Sequence, residues 1–325
     1  MAPLAITAKT VNKGKVIGIP QALGYYYFYP LWKTFFTQLG FTVKTSGMTD
    51  RQKLDSGIKI APSESCLALK CYLGHVVALL NHADRIFVPR LVCLKKKPKI
   101  KLGCPKFIGL PDMVRALLPE ANILSLDIDL RIEGELTSYV KMAKNLGCNS
   151  SKVKHAYQKA IYKLQQYGEE NSKGNLSENN NEDKKIKIGL LGHRYLIEDK
   201  YLNLDFTKKL SDLDCRTVYC HELPIESIDK ELGSIKSVSW YFEEEILGAA
   251  KRFLHINDVS GVIYLLSFGC GAGSITSEII DFEIRGKSTI PLLRIIIDEH
   301  TGETGLMTRL ESFIDMIKLK KEQLI

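Results

Sequence analysis

Short apolar runs alternate along the chain with longer segments in which apolar residues recur every three or four positions. Lys15-Val16-Ile17-Gly18-Ile19-Pro20 reads as a strand ended by proline. The segment after it places Phe28, Leu31, Trp32, Phe35 and Leu39 on one face of a helix, with Gly40 closing it. Residues 41–45 read as a second strand. A further helix is expected from near Cys66 to about Leu80, and residues 85–89 and 106–110 read as more strands. Strands separated by helices imply parallel pairing, because a parallel connection needs a crossover.

After Leu130 the character changes to two helical patterns, ELTSYVKMAKNLG and SKVKHAYQKAIYKLQQY. Residues 168–185 follow, with Leu176 their only large apolar side chain. So little apolar surface does not offset the entropy of ordering, and a flexible loop and domain boundary are expected there. The second half restarts the same logic. Residues 187–191 and 292–297 read as strands, and the fully apolar run 261–268 suits a central parallel strand. A helix over 240–254 aligns Phe242, Ile246, Ala249, Ala250 and Phe253, and a last helix aligns Leu306, Leu310, Phe313, Ile314 and Ile317. The expected fold class is α/β, with two open parallel-sheet domains at 1–130 and 186–325. A helical connector and loop at 131–185 joins them.

Composition supports this picture. A chain of 325 residues with 45% apolar content supplies two cores, at roughly 150 residues per domain. No apolar run approaches the roughly 18 residues of a membrane span. The opening MAPLAITAKTVNKGK lacks the pattern of a signal peptide, so a cytoplasmic location without membrane contact is expected. The net charge of +8 comes partly from runs such as Lys95-Lys96-Lys97. These read as solvated surface, or as attraction to phosphates or an acidic partner. Basic strips interleaved with aromatics are absent from the sequence, which argues against nucleic acid.

Eight cysteines stand at 66, 71, 93, 104, 148, 215, 220 and 270. Without a secretory signal they are expected as free thiols, in the core or as metal ligands. Cys270 lies in Ser267-Phe268-Gly269-Cys270-Gly271-Ala272-Gly273-Ser274, at the carboxyl end of the apolar strand. Ligands gather at such ends in open parallel sheets, and Ser274 is expected to cap the next helix. Cys66 stands just before an apolar helix, where a lowered thiol pKa favours metal ligation. Cys104 lies in a Gly-Cys-Pro step of the kind found around iron–sulfur clusters. The alternatives are a tight turn with a buried thiol at Cys270 and core thiols elsewhere. A zinc site from Cys66, Cys71, Cys215 and Cys220 fits the usual spacings poorly.

Two polar loops also follow apolar strands. Asp298-Glu299-His300-Thr301 offers acid–base groups or a plain helix-capping loop, and His193 offers a site histidine or a solvated one. His75, on an apolar helix, reads as a core histidine. The sequence contains no Walker loop, and no G-x-G-x-x-G with a suitably placed acid.

The stretches IGIPQALGYYYFYPLWKTFFTQLGF, SESCLALKCYLGHV, IFVPRLVCLKKKPKIKLGCPKFIGLPD, IGLLGHRYLIEDKYLNL, IYLLSFGCGAGS and DEHTGETGLMTRLESFIDM span nearly the whole chain. Together they resemble the 2-hydroxyacyl-CoA dehydratase D-component superfamily, in its acyl-CoA dehydratase activase-related branch, with double-cubane cluster proteins as relations. The resemblance implies two flavodoxin-like domains and an oxygen-sensitive [4Fe–4S] cluster on Cys66, Cys104 and Cys270, its fourth iron open. It also implies an ATP-hydrolysing activator as electron donor, a homologous second subunit or a homodimer, and a small-molecule or acyl-CoA substrate. The chain departs from the family at Ala68, where proline is frequent, and at Gly271-Ala272-Gly273-Ser274, where Gly-Pro-Asp-Ser is frequent.

The expected function is therefore low-potential electron chemistry, the dehydration or reduction of a substrate, with Glu299, His300 or His193 supplying protons from loops in one cleft. A non-catalytic electron-transfer or accessory subunit is the second possibility. A cluster-free α/β module binding a small molecule is the third.

Overall fold

The computed structural model describes residues 15–173, 186–223, 228, 231–232, 238–255, 259–284, 286 and 288–322. The first unit runs β1 (Val16–Ile19), α1 (Tyr25–Leu39), β2 (Thr42–Thr45), α2 (Arg51–Ile60), α3 (Leu67–Val77), β3 (Arg85–Lys95), β4 (Lys101–Leu102), α4 (Pro105–Leu117) and β5 (Ile123–Asp129). Two helices follow, α5 (Glu135–Lys144) and α6 (Ser150–Lys173). The second unit runs β6 (Ile186–Leu191), α7 (Arg194–Ile197), α8 (Phe206–Asp212), β7 (Cys215–Tyr219), α9 (Tyr241–His255), β8 (Gly261–Ser267), α10 (Gly271–Ile279), β9 (Leu292–Ile297) and α11 (Glu303–Glu322).

The first sheet is ordered β2-β1-β3, with β3 pairing both β5 in parallel and β4 antiparallel. The second is all parallel, in the order β7-β6-β8-β9. Each unit therefore places its second strand outside its first and its third on the other side, the flavodoxin-like winding. Every residue of β8 is buried, as its unbroken apolar run requires of a central strand. Helix α1 buries Leu31, Trp32, Phe35, Phe36 and Leu39, and α11 buries Leu306, Leu310, Phe313, Ile314 and Ile317. Among the described residues, no helix is long and apolar enough to cross a membrane.

Three sequence expectations change. Residues 106–110 are not a strand but the first turns of α4. Pro105 sits in its first turn, where a missing N–H costs nothing, and Phe107, Leu110 and Val114 form its buried stripe. A short run such as Phe107-Ile108-Gly109-Leu110 suits either structure until its neighbours are known. Residues 123–129, not marked as a strand above, form β5, which pairs along most of β3. Helix α6 continues past Gly168 to Lys173, since glutamate and lysine hold a helix well without burial. The rest of the expected loop, 174–185, lies outside the described residues.

A buried polar knot joins the two units. Asp199 accepts hydrogen bonds from Tyr26 (3.1 Å) and from Thr49, while Thr49 and Ser46 flank the two ring nitrogens of His75 at 2.9 and 2.7 Å. Because Thr49 spends its proton on Asp199, it accepts from His75 Nε2, which leaves Nδ1 to accept from Ser46. His75 is thus neutral, and burial lowers its pKa from 6.5 to about 4. Between those values the unfolded chain binds a proton at this position and the fold does not, so acidification through that window destabilises the fold. The effect is worth up to about 3 kcal/mol. The stability gap between wild type and His75→Asn is therefore expected to narrow from pH 7.5 to pH 5, measured by urea unfolding. A gap that stays constant with pH would show that His75 does not carry the effect.

Candidate functional site

Three helices point their first turns at one place between the two units, and a cysteine caps each. Cys66 is the N-cap of α3, Cys104 of α4 and Cys270 of α10. The Cys270 sulfur accepts from the Gly273 amide at 3.4 Å, and Ser274 donates back to the Cys270 carbonyl at 2.9 Å. The sulfur itself, rather than the expected Ser274, therefore caps this helix. Gly269, at φ 72°, turns the chain out of β8, and a Cβ there would stand 3.1 Å from the Cys66 Cα. Only glycine meets both demands comfortably. The contact is locked by a hydrogen bond from Leu67 N–H to the Phe268 carbonyl at 3.1 Å, which ties α3 of one unit to β8 of the other.

The three cysteines line a cavity of about 330 Å³ together with His193 and Glu243. His193 follows β6 and Cys270 follows β8, so the cavity opens where the second sheet reverses its winding. That is where open parallel sheets bind ligands. Leu23, Phe107 and Phe242 supply apolar wall. The volume equals roughly ten waters at about 30 Å³ each, more than a single ion needs.

Burial raises all three thiols above their ordinary pKa. Cys270 is pushed up to about 12, by burial first and then by the charge of Glu243, with the Gly273 amide opposing. Cys66 and Cys104 rise for the same first reason, against the pull of nearby amides. The lowered pKa expected for Cys66 at its helix end is overturned, because desolvation outweighs the amides. The thiols are therefore protonated at neutral pH.

His193 is buried, caps the short helix α7, stacks on Tyr195 at 4.9 Å and meets Glu243 Oε1 through Nε2 at 2.9 Å. Glu243 is 1% exposed, and its Oε2 is buried without a hydrogen-bond partner among the described residues. A buried carboxylate oxygen without a partner is uncommon, and this carboxylate stands beside the Cys270 thiol. Among the described residues, two groups of three possible ligands have donor atoms within 4.8 Å of one another: Cys71, His75 and Asp199, and His193, Glu243 and Cys270. Three sulfurs on one tetrahedral zinc would stand about 3.8 Å apart, given Zn–S of about 2.3 Å. Cys66 and Cys104 stand in neither of those two groups.

The loop at Asp298 lies elsewhere. It lines a second cavity, of about 700 Å³, that also touches Leu67 on α3. Asp298 accepts from His300 N–H (3.0 Å) and from the Thr301 hydroxyl (2.7 Å), forming a capping turn before α11. Glu299 is paired with buried Lys70, and His300 is exposed. Glu299 and His300, expected beside the cysteines, are not among the residues that line the cysteine cavity. Following a strand places a loop at a sheet end, but the path of the loop then decides which cavity it enters. Of the acid–base groups expected in that cleft, the structure brings only His193 to the cysteines.

Sequence reasoning missed Glu243. One signal was present: Glu243 falls on the apolar stripe of α9, three, four and seven residues before Ile246, Leu247 and Ala250, all buried. A charge on a buried stripe is rarely there without a partner.

The fold and site define a protein of two parallel-sheet α/β units that close three cysteines, a histidine and an acid into one cavity. The family model described as "CoA enzyme activase uncharacterised domain" matches residues 16–223, and the chain belongs to that family. The activase-related kinship expected from the sequence is met at that level. No curated protein matches the chain. The matched span holds Cys66, Cys104 and His193 and ends before Glu243 and Cys270.

Proposed function

We propose that the cavity holds a [4Fe–4S] cluster on Cys66, Cys104 and Cys270, and that the protein carries low-potential electrons in a system of the acyl-CoA dehydratase type. The observation that carries this reading is the convergence of three cysteines, distant in sequence, at the caps of three helices around one cavity. Membership of a CoA enzyme activase family supports the link to acyl-CoA chemistry, and the sequence resemblance to the dehydratase D-component superfamily supports the cluster.

Such a cluster, when bound, supplies reversible one-electron transfer. The chain's own residues would prepare for it in three ways. Cys66, Cys104 and Cys270 give up their protons to become the ligands, so assembly releases protons. The free amides at the starts of α3, α4 and α10 favour the resulting negative charge. Phe107 and Phe242 keep water from the site. In this reading an ATP-hydrolysing activator delivers the electrons, a homologous subunit or second copy completes the assembly, and a small or CoA-linked substrate receives them. The alternative of a non-catalytic electron-transfer or accessory subunit is favoured by one observation, the Glu243 carboxylate facing the same cavity.

Protein reconstituted without oxygen is expected to hold about four irons and four sulfides per chain and to show a broad brown absorbance. Protein that takes up one zinc, or no metal at all, would sink the proposal.

A further inference from the structure

We propose that Glu243 is itself a cluster ligand, holding the iron that the three cysteines leave free and closing the centre for electron transfer. This rests on the reading of the cavity as a [4Fe–4S] site.

Glu243 sits in the first turn of α9 and is turned into the core rather than toward solvent, at 1% exposure. A carboxyl group so placed needs partners on both oxygens. Oε1 has His193 Nε2 at 2.9 Å, while Oε2 is buried and has none among the described residues. The donor atoms of Glu243, His193 and Cys270 lie within 4.8 Å of one another, so the carboxylate stands beside one of the three thiols.

The charges point the same way. Once the thiols ionise, the carboxylate would stand among anions in a poorly solvated space. A cation between them removes the repulsion and satisfies Oε2 in one step. His193 completes the arrangement, because ligating carboxylates are commonly fixed by a hydrogen bond to their second oxygen. His193 is in turn held by its place at the α7 cap and its stack on Tyr195. Coordination forms an Oε2–iron bond in place of solvent and moves no electron. With every iron held by protein, electrons pass through the centre without a substrate bound to it.

The test compares reconstituted wild type with Glu243→Gln, which keeps the side-chain shape and an oxygen for His193. In water carrying a magnetic oxygen isotope, electron–nuclear double resonance of the reduced wild type should show no solvent oxygen on the cluster. The variant should show it, and should bind cyanide on the order of tenfold more tightly than wild type. Solvent oxygen on the wild-type cluster, or equal cyanide affinities, would overturn the Glu243 assignment and leave the cluster assignment standing. A wild type that assembles no cluster overturns both. Should Glu243→Gln fail to fold, the isotope measurement on wild type decides alone.

Discussion

Cys270→Ser, Cys66→Ser and Cys104→Ser are each expected to lose most of the iron from reconstituted protein, while Cys71→Ser and Cys148→Ser keep it. Serine at a cap still accepts amide hydrogen bonds, so the helices should survive. Its hydroxyl, however, does not ionise near neutral pH and is a poor ligand for iron that favours soft sulfur. Cys71 is the informative control, because it lies on the helix that Cys66 caps and is buried more deeply still. Its sulfur faces Thr49 Oγ1 at 3.7 Å, in the knot around His75 and Asp199, and not the cavity. The Cys148 thiol stands near the Leu146 carbonyl at 3.9 Å. Iron and sulfide counts on the five variants would separate these cases. Iron retained by Cys270→Ser, or lost from Cys71→Ser, would move the centre elsewhere.

The second large effect concerns how α3 is held. Helices α2 and α3 touch backbone to backbone at two glycines. A Cβ on Gly57 would lie 1.8 Å from the Lys70 carbonyl oxygen, and one on Gly74 would lie 1.8 Å from the Lys53 carbonyl oxygen. Neither neighbour is a side chain able to swing aside, so alanine must force the helices apart. Gly57→Ala or Gly74→Ala is expected to cost about 3 kcal/mol or more, at the upper end of overpacking changes. Because α3 begins at Cys66 and carries Lys70 to its pairing with Glu299, the same change should also weaken iron retention. Gly305, inside α11 with open space around it, is the contrast. Gly305→Ala should stabilise the fold by about 0.5–1 kcal/mol, since the helix gains and nothing is displaced. Thermal unfolding midpoints of the three variants would show the opposite signs. A harmless Gly57→Ala would mean that the helices do not meet as closely as described.

Local patterns determined much of this protein. The run at β8, the stripes of α1, α9 and α11, and the alternation of strands with helices all follow from side chains that must face a core at a fixed period. The capping positions of Cys66 and Cys270 were nearly legible too, because each stands between a loop and a strongly apolar or small-residue helix start. Other features were decided only by packing. Residues 106–110 became helix because Pro105 and the stripe through Val114 outweighed a short apolar run. Glu299 turned to another cavity, and His300 to the surface, because a loop's direction depends on what it packs against. The meeting of Cys66, Cys104, Cys270, His193 and Glu243 also required the tertiary fold. Period and propensity set which way each residue faces along its own element, but the sharing of one cavity arises from two sheets packed together, and no local pattern records it.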